Sequence, residues 1–159
     1  MGSLLAFLLV NLFAKRKIFM GDAGSMLLGF AIAWFAILFS QAEGEHHVFS
    51  PITALWFVAI PIMDTICIMI RRVMKGQSPF MPDREHLHHI FLRAGYSDRQ
   101  TLFIIVLIAI LFASIGLIAN HFQIAEGLMF LSFCLVFIGY FFLLRHSWLL
   151  MRWLKILHG

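Results

Sequence analysis

Charged residues are scarce in this chain: Asp, Glu, Lys and Arg make up 13% of its 159 residues, whereas hydrophobic residues make up 62%. Soluble domains contain about 25% charged and about 45–50% apolar residues, so this composition argues against a soluble domain. Cysteine is also rare, and Cys67 and Cys134 lie in apolar runs without a paired spacing. We therefore expect neither a disulfide framework nor a zinc site.

Long apolar runs are what the sequence has instead. Four runs, residues 23–42, 52–70, 101–119 and 124–144, are close to the roughly 20 helical residues that cross a bilayer core. A fifth run, residues 1–14, reaches only about 21 Å at about 1.5 Å per residue, and basic residues follow rather than precede it, unlike in a signal peptide. The sequence predicts an all-α polytopic transmembrane helical bundle, with four full spans and one clipped N-terminal span.

The positive charges indicate the orientation of these spans. All 12 Lys and Arg residues fall into three segments, residues 15–17, 71–99 and 145–155, and the other connections carry glutamates. The positive-inside rule places the three basic segments, including the histidine-rich loop 71–100, and the C-terminus in the cytoplasm. We interpret the net charge of +4 as topology and contact with anionic lipid, and we expect no nucleic-acid partner, because no such module is visible.

The stretch KIFMGDAGS, residues 17–25, lies where a basic loop meets the second run. Glycines permit close backbone approach, a helix start presents free N–H groups, and Asp22 offers a hard carboxylate oxygen. This combination suits a magnesium-bound diphosphate. The alternative is that Asp22 simply caps the helix that begins there.

Asp64 lies inside the apolar run IPIMDTICIMIRR, about two helical turns, or roughly 10 Å, from Arg71. Ionisable groups within a membrane usually face a bundle interior or a wet cavity and mark function, so we expect Asp64 to line a cytoplasmic cavity. The alternative is a structural hydrogen bond or ion pair. Pro61, one turn earlier, suggests a kink in this span.

The polar segment PDREHLHHIFLRAG, residues 82–95, has strong helix punctuation. Asp83 can cap a helix over residues 84–94 and Gly95 can end it. One face of that helix is apolar, and its members are Leu87, Ile90, Phe91 and Ala94. That face should lie against protein or lipid headgroups.

The same helix concentrates cations beside the membrane. His86, His89 and Arg93 form one stripe, while Arg84 and His88 form a second pair. Such side chains can hydrogen-bond phosphate oxygens, and histidine exchanges protons near physiological pH, so we expect a phosphate-handling site. Two alternatives stay open: an interfacial helix that touches anionic lipid, and a transition-metal site built from His86 and His89.

The motifs FMGDAGS, IPIMD, the loop containing SPFMPDR, and HLHH followed by RAGYSDRQ closely resemble the polyprenyl-phosphate N-acetylhexosamine-1-phosphate transferase family. The resemblance runs from about residue 4 to the C-terminus. It is strongest to the bacterial branch that uses undecaprenyl phosphate and N-acetylglucosamine.

The resemblance implies transfer of N-acetylhexosamine 1-phosphate from a UDP-sugar to undecaprenyl or another polyprenyl phosphate, with release of UMP. Mg²⁺ is the implied cofactor, with Mn²⁺ as the alternative. The implied setting is the bacterial inner membrane, with the site facing the cytoplasm. There the reaction would initiate assembly of a cell-surface polysaccharide, such as that of lipopolysaccharide or the cell wall.

The resemblance also assigns residues. It makes Asp22 the magnesium ligand, Phe19 the aromatic that stacks on uracil, and the histidine loop the contact with the nucleotide-sugar diphosphate. The residues expected to be catalytic are Asp22, His86, His88 and His89. Those expected to contact substrate are Phe19, Asp64, Asp83 and Arg84.

The sequence also departs from the family. Members use a paired-aspartate motif and an asparagine- and aspartate-rich motif on other cytoplasmic loops, and neither occurs in this chain. Members also have more spans, so the chain resembles their C-terminal half. We expect a partner, either an N-terminal half or a second copy of this chain. The alternatives are a truncated or split-gene product that is inactive alone, and a small transporter or metal-handling protein that uses Asp64 and the histidines.

Overall fold

The computed structural model describes residues 2–13, 18, 20–41, 49–80 and 86–145, and within these ranges it contains α-helices and no strand. The helices are α1 (Gly2–Phe13), α2 (Gly21–Gln41), α3 (Pro51–Phe57), α4 (Ala59–Met74), α5 (Leu87–Ala94), α6 (Asp98–His121) and α7 (Glu126–Arg145).

Three of these helices, α2, α6 and α7, are long and apolar enough to cross a membrane, and α3 with α4 makes a fourth span if the two are counted as one broken helix. Helix α1 has 12 residues, or about 18 Å at about 1.5 Å per residue, which is less than a bilayer core. Most side chains of the three long helices are exposed, as expected where lipid replaces water. The predicted all-α membrane architecture is confirmed, and the chain is a multi-pass membrane protein.

The run expected as one span over residues 52–70 is divided at Val58, where α3 and α4 meet at a bend of 77°. The bend lies next to the carbonyl of Phe57, four residues before Pro61. Proline has no N–H to bond that carbonyl, and its ring crowds it, so the bend follows from the sequence. The kink expected from Pro61 is therefore present. Because of this bend, the depth of Asp64 in the membrane cannot be obtained by counting residues along one straight helix.

Helix α3 packs closely against α6. Trp56 is 3% exposed and makes edge-to-face contacts with Phe112 and Phe133, at centroid distances of 5.9 Å and 5.6 Å. A Cβ atom on Gly116 would lie 2.8 Å from the Cβ of Trp56, so only glycine fits at this crossing without a shift. The small residue brings the two backbones together, as is common in membrane helix packing.

The short helix α5 lies on the same bundle through its apolar face. The predicted face is buried, with exposed fractions of 6% for Leu87, 2% for Ile90, 6% for Phe91 and 4% for Ala94. It packs with Ile60, Cys67 and Leu144 of α4 and α7. The apolar-face prediction is thus confirmed, and contact with other helices is what buries the face.

The ends of α5 agree in part with the expected boundaries. Gly95 ends the helix with φ of 108°, a left-handed conformation that favours glycine. The helix begins at Leu87 rather than at residue 84, and His86 occupies the N-cap position with an extended backbone. Asp83, the expected cap, lies outside the described residues.

Candidate active site

Asp64 of α4 is the centre of a hydrogen-bonded cluster. Its Oδ2 lies 2.8 Å from Nδ1 of His86. Its Oδ1 accepts hydrogen bonds from the backbone N–H of Leu87 at 3.1 Å and from the hydroxyl of Tyr140 at 2.9 Å. The carboxylate therefore joins three elements, α4, the start of α5 and α7, and its side chain is only 14% exposed.

The hydrogen bond from Leu87 to Asp64 caps the N-terminus of α5 with a side chain from another helix, α4. The first N–H groups of a helix have no acceptor within the helix, and the His86 side chain forms no capping hydrogen bond. The carboxylate of Asp64 supplies that acceptor and also places negative charge at the positive end of the helix dipole. As a result, the start of the histidine helix is attached to α4.

The contact with His86 assigns the position of a proton. An ionised carboxylate only accepts hydrogen bonds, so the short contact requires a proton on Nδ1 of His86, an assignment that follows from the hydrogen-bond network. The ring nitrogen Nε2 then lies on the side away from Asp64. The His86 side chain is 37% exposed, so this nitrogen can face a ligand.

The three histidines of the loop lie side by side. The ring centroids of His86 and His88 are 5.8 Å apart and those of His88 and His89 are 4.0 Å apart. The pKa of His88 is lowered from 6.5, first by desolvation and then by the neighbouring His89 and His86. Asp64 raises this pKa, as the smallest of the causes. The His88 side chain as a whole is exposed. One of the three imidazoles is therefore held neutral near neutral pH.

Asp22 lies in the first turn of α2, and its side chain is exposed. The preceding Gly21 has φ of 70°, a conformation that other residues adopt only with strain. The Ser25 hydroxyl donates to the backbone carbonyl of Asp22 at 2.9 Å, and the Asp22 carboxylate has no hydrogen-bond partner among the described residues. That carboxylate lies close to the positive end of the helix dipole of α2.

The surroundings of Asp22 supply part of a magnesium site. Mg²⁺ is commonly held by one or two carboxylates, with substrate phosphates and waters as the other ligands. Asp22 fits as one such carboxylate. In the described ranges no group of three or more His, Cys, Asp or Glu side chains could hold a metal ion. The alternative transition-metal site at His86 and His89 thus has no third ligand in that part of the chain.

Basic side chains line a cavity near the C-terminal ends of α4 and α7. The cavity has a volume of about 260 Å³, and its lining comprises Arg71, Met74, Lys75, Phe141 and Arg145. Three cations around one cavity give it a positive potential that suits phosphate groups. Arg145 lies five residues after Tyr140 on α7, so the same helix connects this cavity to the Asp64 cluster.

The structure brings some of the predicted site residues together. Asp64 contacts His86, and His88 and His89 lie beside His86. No hydrogen bond or ion pair in the described part of the chain links Asp22 to this group. The substrate-contact predictions for Phe19, Asp83 and Arg84 lie outside the described residues, and the assigned roles of all these side chains stay predictions.

Sequence reasoning missed Tyr140. One signal was available: Tyr140 carries a hydroxyl within the mostly apolar helix α7, and a buried tyrosine hydroxyl usually has a hydrogen-bond partner. A search for the partner of that hydroxyl would have pointed to Asp64, because the other carboxylate in the predicted spans, Glu126, lies at the start of its run.

Comparisons with known proteins agree with the motifs. Residues 1–40 match the family described as glycosyl transferase family 4. Three relatives share the name undecaprenyl-phosphate alpha-N-acetylglucosaminyl 1-phosphate transferase. The one from Pasteurella multocida Pm70 is 47% identical over 89% of this chain. Those from Haemophilus influenzae Rd and Escherichia coli K12 are 42% and 45% identical over 96% and 97% of it.

The match covers 39%, 44% and 42% of the length of these three relatives, in their C-terminal part. No solved structure matches the chain. The resemblance expected from the motifs is confirmed, because identity of this level extends over nearly all of the chain. The chain is therefore similar, over nearly its whole length, to the C-terminal part of undecaprenyl-phosphate alpha-N-acetylglucosaminyl 1-phosphate transferases.

Proposed function

We propose that this chain forms the histidine-bearing part of an enzyme that transfers N-acetylhexosamine 1-phosphate from a UDP-sugar to undecaprenyl or another polyprenyl phosphate. The name of the relatives contains both the lipid phosphate and N-acetylglucosamine, which supports this choice of acceptor and sugar. The observation that carries the proposal is the Asp64 cluster, which attaches a helix with three adjacent imidazoles to the membrane bundle.

The proposed reaction forms one phosphoanhydride bond and breaks another. An oxygen of the lipid phosphate attacks the phosphorus that carries the sugar. The bond from that phosphorus to the bridging oxygen breaks, and UMP leaves with the bridging oxygen. The lipid diphosphate sugar is the second product, and a proton on the attacking lipid phosphate passes to a base of the site, so atoms and charge balance.

The role of the protein in such a transfer is to position two phosphates and to neutralise the charge that develops between them. Because its ring proton is on Nδ1 and engaged by Asp64, His86 can accept a hydrogen bond at Nε2 from a protonated oxygen of the lipid phosphate. Phosphate monoesters lose their second proton at about pH 6, so such an oxygen is present near neutral pH. Arg71, Lys75 and Arg145 supply positive charge at the nearby cavity. Magnesium, or manganese in its place, would be held by Asp22 and would neutralise diphosphate charge.

We place this site at the cytoplasmic face of the bacterial inner membrane, because the basic segments lie on that side by the positive-inside rule. There the reaction would begin the assembly of a cell-surface polysaccharide, such as that of lipopolysaccharide or the cell wall. The carboxylate motifs that are absent from this sequence would come from an N-terminal part, because a second copy of this chain lacks them too.

The test is magnesium-dependent release of UMP from UDP-N-acetylglucosamine and undecaprenyl phosphate. It uses membranes of a host without such activity, which express either this chain alone or the chain joined behind the N-terminal part of the Escherichia coli K12 relative. We expect turnover by the joined protein, and Asp22→Asn should lower kcat by about 10²- to 10³-fold, because it removes a charged ligand from the reacting phosphates.

The matched control is Glu126→Gln, which removes an exposed carboxylate at the start of α7, at the opposite end of that helix from Arg145. It should leave turnover unchanged. Membrane-inserted joined protein that releases no UMP, or that is indifferent to Asp22→Asn, would contradict the proposal. Turnover by the chain alone would show that the absent carboxylate motifs are not required.

A further inference from the structure

We propose that Asp64 and Tyr140 are positioning residues of this site: they fix the first turn of α5 and keep the proton of His86 on Nδ1, so that the lone pair of Nε2 can accept the proton of the lipid phosphate. This inference rests on the proposed function. It assigns to Asp64 a role through His86 in place of the direct substrate contact expected from the sequence.

The geometry favours positioning because both carboxylate oxygens are already engaged. Oδ2 is used by His86, and Oδ1 accepts from Leu87 and from Tyr140. With 14% of the side chain exposed, little of the carboxylate surface remains for a substrate or a metal ion. Asp64 therefore acts on the substrate through the groups that it holds.

The surroundings make the arrangement rigid. Cys67, one turn after Asp64 on α4, and Leu144, one turn after Tyr140 on α7, are both fully buried. Leu87, which donates to Asp64, is 6% exposed. In such an environment hydrogen bonds to a carboxylate are stronger than in water, and an unmatched partner is costly. The position of His86 is thus set by groups packed on three helices.

A carboxylate does something here that a neutral cap would not do. An asparagine side chain could also accept from Leu87 and Tyr140 through its carbonyl oxygen, which would preserve the helix start. Its amide nitrogen, however, would donate to Nδ1 of His86 and shift the ring proton to Nε2. The charge at position 64 therefore determines which nitrogen of His86 can accept a hydrogen bond. A purely structural role of Asp64 would be retained by asparagine, whereas control of the His86 tautomer would be lost.

The role of Tyr140 follows from the same geometry. Its hydroxyl donates to the oxygen that also caps α5, so it restricts rotation of the carboxylate and holds Oδ2 toward His86. Tyr140→Phe removes one hydrogen bond and leaves the two contacts to α5 in place. We expect a smaller effect from this substitution than from any change at Asp64 itself.

The test compares wild type, Asp64→Asn, Asp64→Glu and Tyr140→Phe by two measurements. The first is nitrogen-15 NMR of His86 in the full chain in lipid nanodiscs, which reports the tautomer without any need for activity. The second is kcat and KM of the joined protein for UDP-N-acetylglucosamine. Hydrogen exchange of the segment 87–94 reports whether α5 remains folded. The matched control is Asp98→Asn, which changes an exposed aspartate at the start of α6.

We expect the proton on Nδ1 in the wild type and on Nε2 in Asp64→Asn, with exchange of α5 changed little. The same variant should lose about 10- to 100-fold in kcat with little change in KM, as expected for a mispositioned acid–base group. Asp64→Glu should restore the Nδ1 tautomer and part of kcat, and Tyr140→Phe should lose about 2- to 10-fold, the effect of one hydrogen bond.

An unchanged tautomer or an undiminished kcat in Asp64→Asn would overturn the inference. If that variant does not insert into the membrane, Tyr140→Phe and Asp64→Glu decide in its place: full activity in Tyr140→Phe, or an Nε2 tautomer in Asp64→Glu, would overturn it. The expected tautomers together with no sugar transfer by the joined wild type would instead contradict the proposed function alone.

Discussion

At the scale of single residues, His88 should titrate below its ordinary value of 6.5, because desolvation and the neighbouring imidazoles disfavour its charged form. The folded chain then binds this proton less readily than the unfolded chain. The resulting stability is present above pH 6.5 and is lost as the pH falls from there through the lowered pKa. A histidine NMR titration of the full chain measures the midpoint directly.

Two variants identify the causes of that shift. His89→Gln removes a neighbouring positive charge and should raise the His88 midpoint part of the way toward 6.5. Asp64→Asn removes the one carboxylate that favours the charged form and should lower the midpoint further. A midpoint at or above 6.5 in the wild type would show that the imidazole cluster does not hold His88 neutral.

Individual site residues could be predicted from the sequence where the signal is local. The apolar face from Leu87 to Ala94 follows from helical spacing, and Gly95 follows from its freedom to adopt positive φ. The contacts of Asp64 with His86 and Tyr140 join residues that are 22 and 76 positions apart. They depend on how α4, α5 and α7 pack, and no local pattern encodes that packing.

At the scale of helices, the crossing of α3 and α6 should be sensitive to one methyl group. Gly116→Ala would place its Cβ 2.8 Å from the Cβ of Trp56 and 3.5 Å from the backbone oxygen of Thr53. Separation of the two helices should lower the free energy of unfolding by about 1–3 kcal/mol. Reversible denaturation of the full chain in mixed micelles measures the change.

Gly139→Ala in α7 is the matched control, because no atom lies within 4 Å of the Cβ that it would add. It should leave the free energy of unfolding unchanged or raise it slightly, since alanine favours helix over glycine. Equal decreases in the free energy of unfolding of the two variants would mean that contact with Trp56 is not the cause of the effect at Gly116.

The broken helix shows why the elements could be only partly predicted. The run over residues 52–70 has the length and hydropathy of one span, and Pro61 signals a kink. Neither feature gives the size of the bend between α3 and α4, which is 77°. Packing of Ile60 and Cys67 against the apolar face of α5 stabilises that bend.

At the scale of the whole molecule, the number of long helices follows from the sequence because bilayer thickness fixes their length. Helices α2, α6 and α7 correspond closely to the predicted runs over residues 23–42, 101–119 and 124–144. The packing partners of each helix could not be predicted in the same way, since an apolar face can lie against lipid or against another helix.

The orientation in the membrane gives the last prediction. In a variant with Cys67→Ala and Cys134→Ala, a single cysteine is introduced either at Glu126 or at Gln77, both of which are exposed. A membrane-impermeant maleimide added to intact spheroplasts should label the Glu126→Cys protein. The Gln77→Cys protein should be labelled only after the membrane is permeabilised, because the positive-inside rule places the basic segment that contains it in the cytoplasm.

Each cysteine protein serves as the control for the other, since a leaky preparation labels both before permeabilisation. The reverse pattern would place the Asp64 cluster and the basic cavity on the outer face of the membrane. A site there would be separated from UDP-sugars, which bear charges that a bilayer excludes and which are supplied from the cytoplasm. That result would remove the physical basis of the proposed reaction even if every contact within the cluster were confirmed.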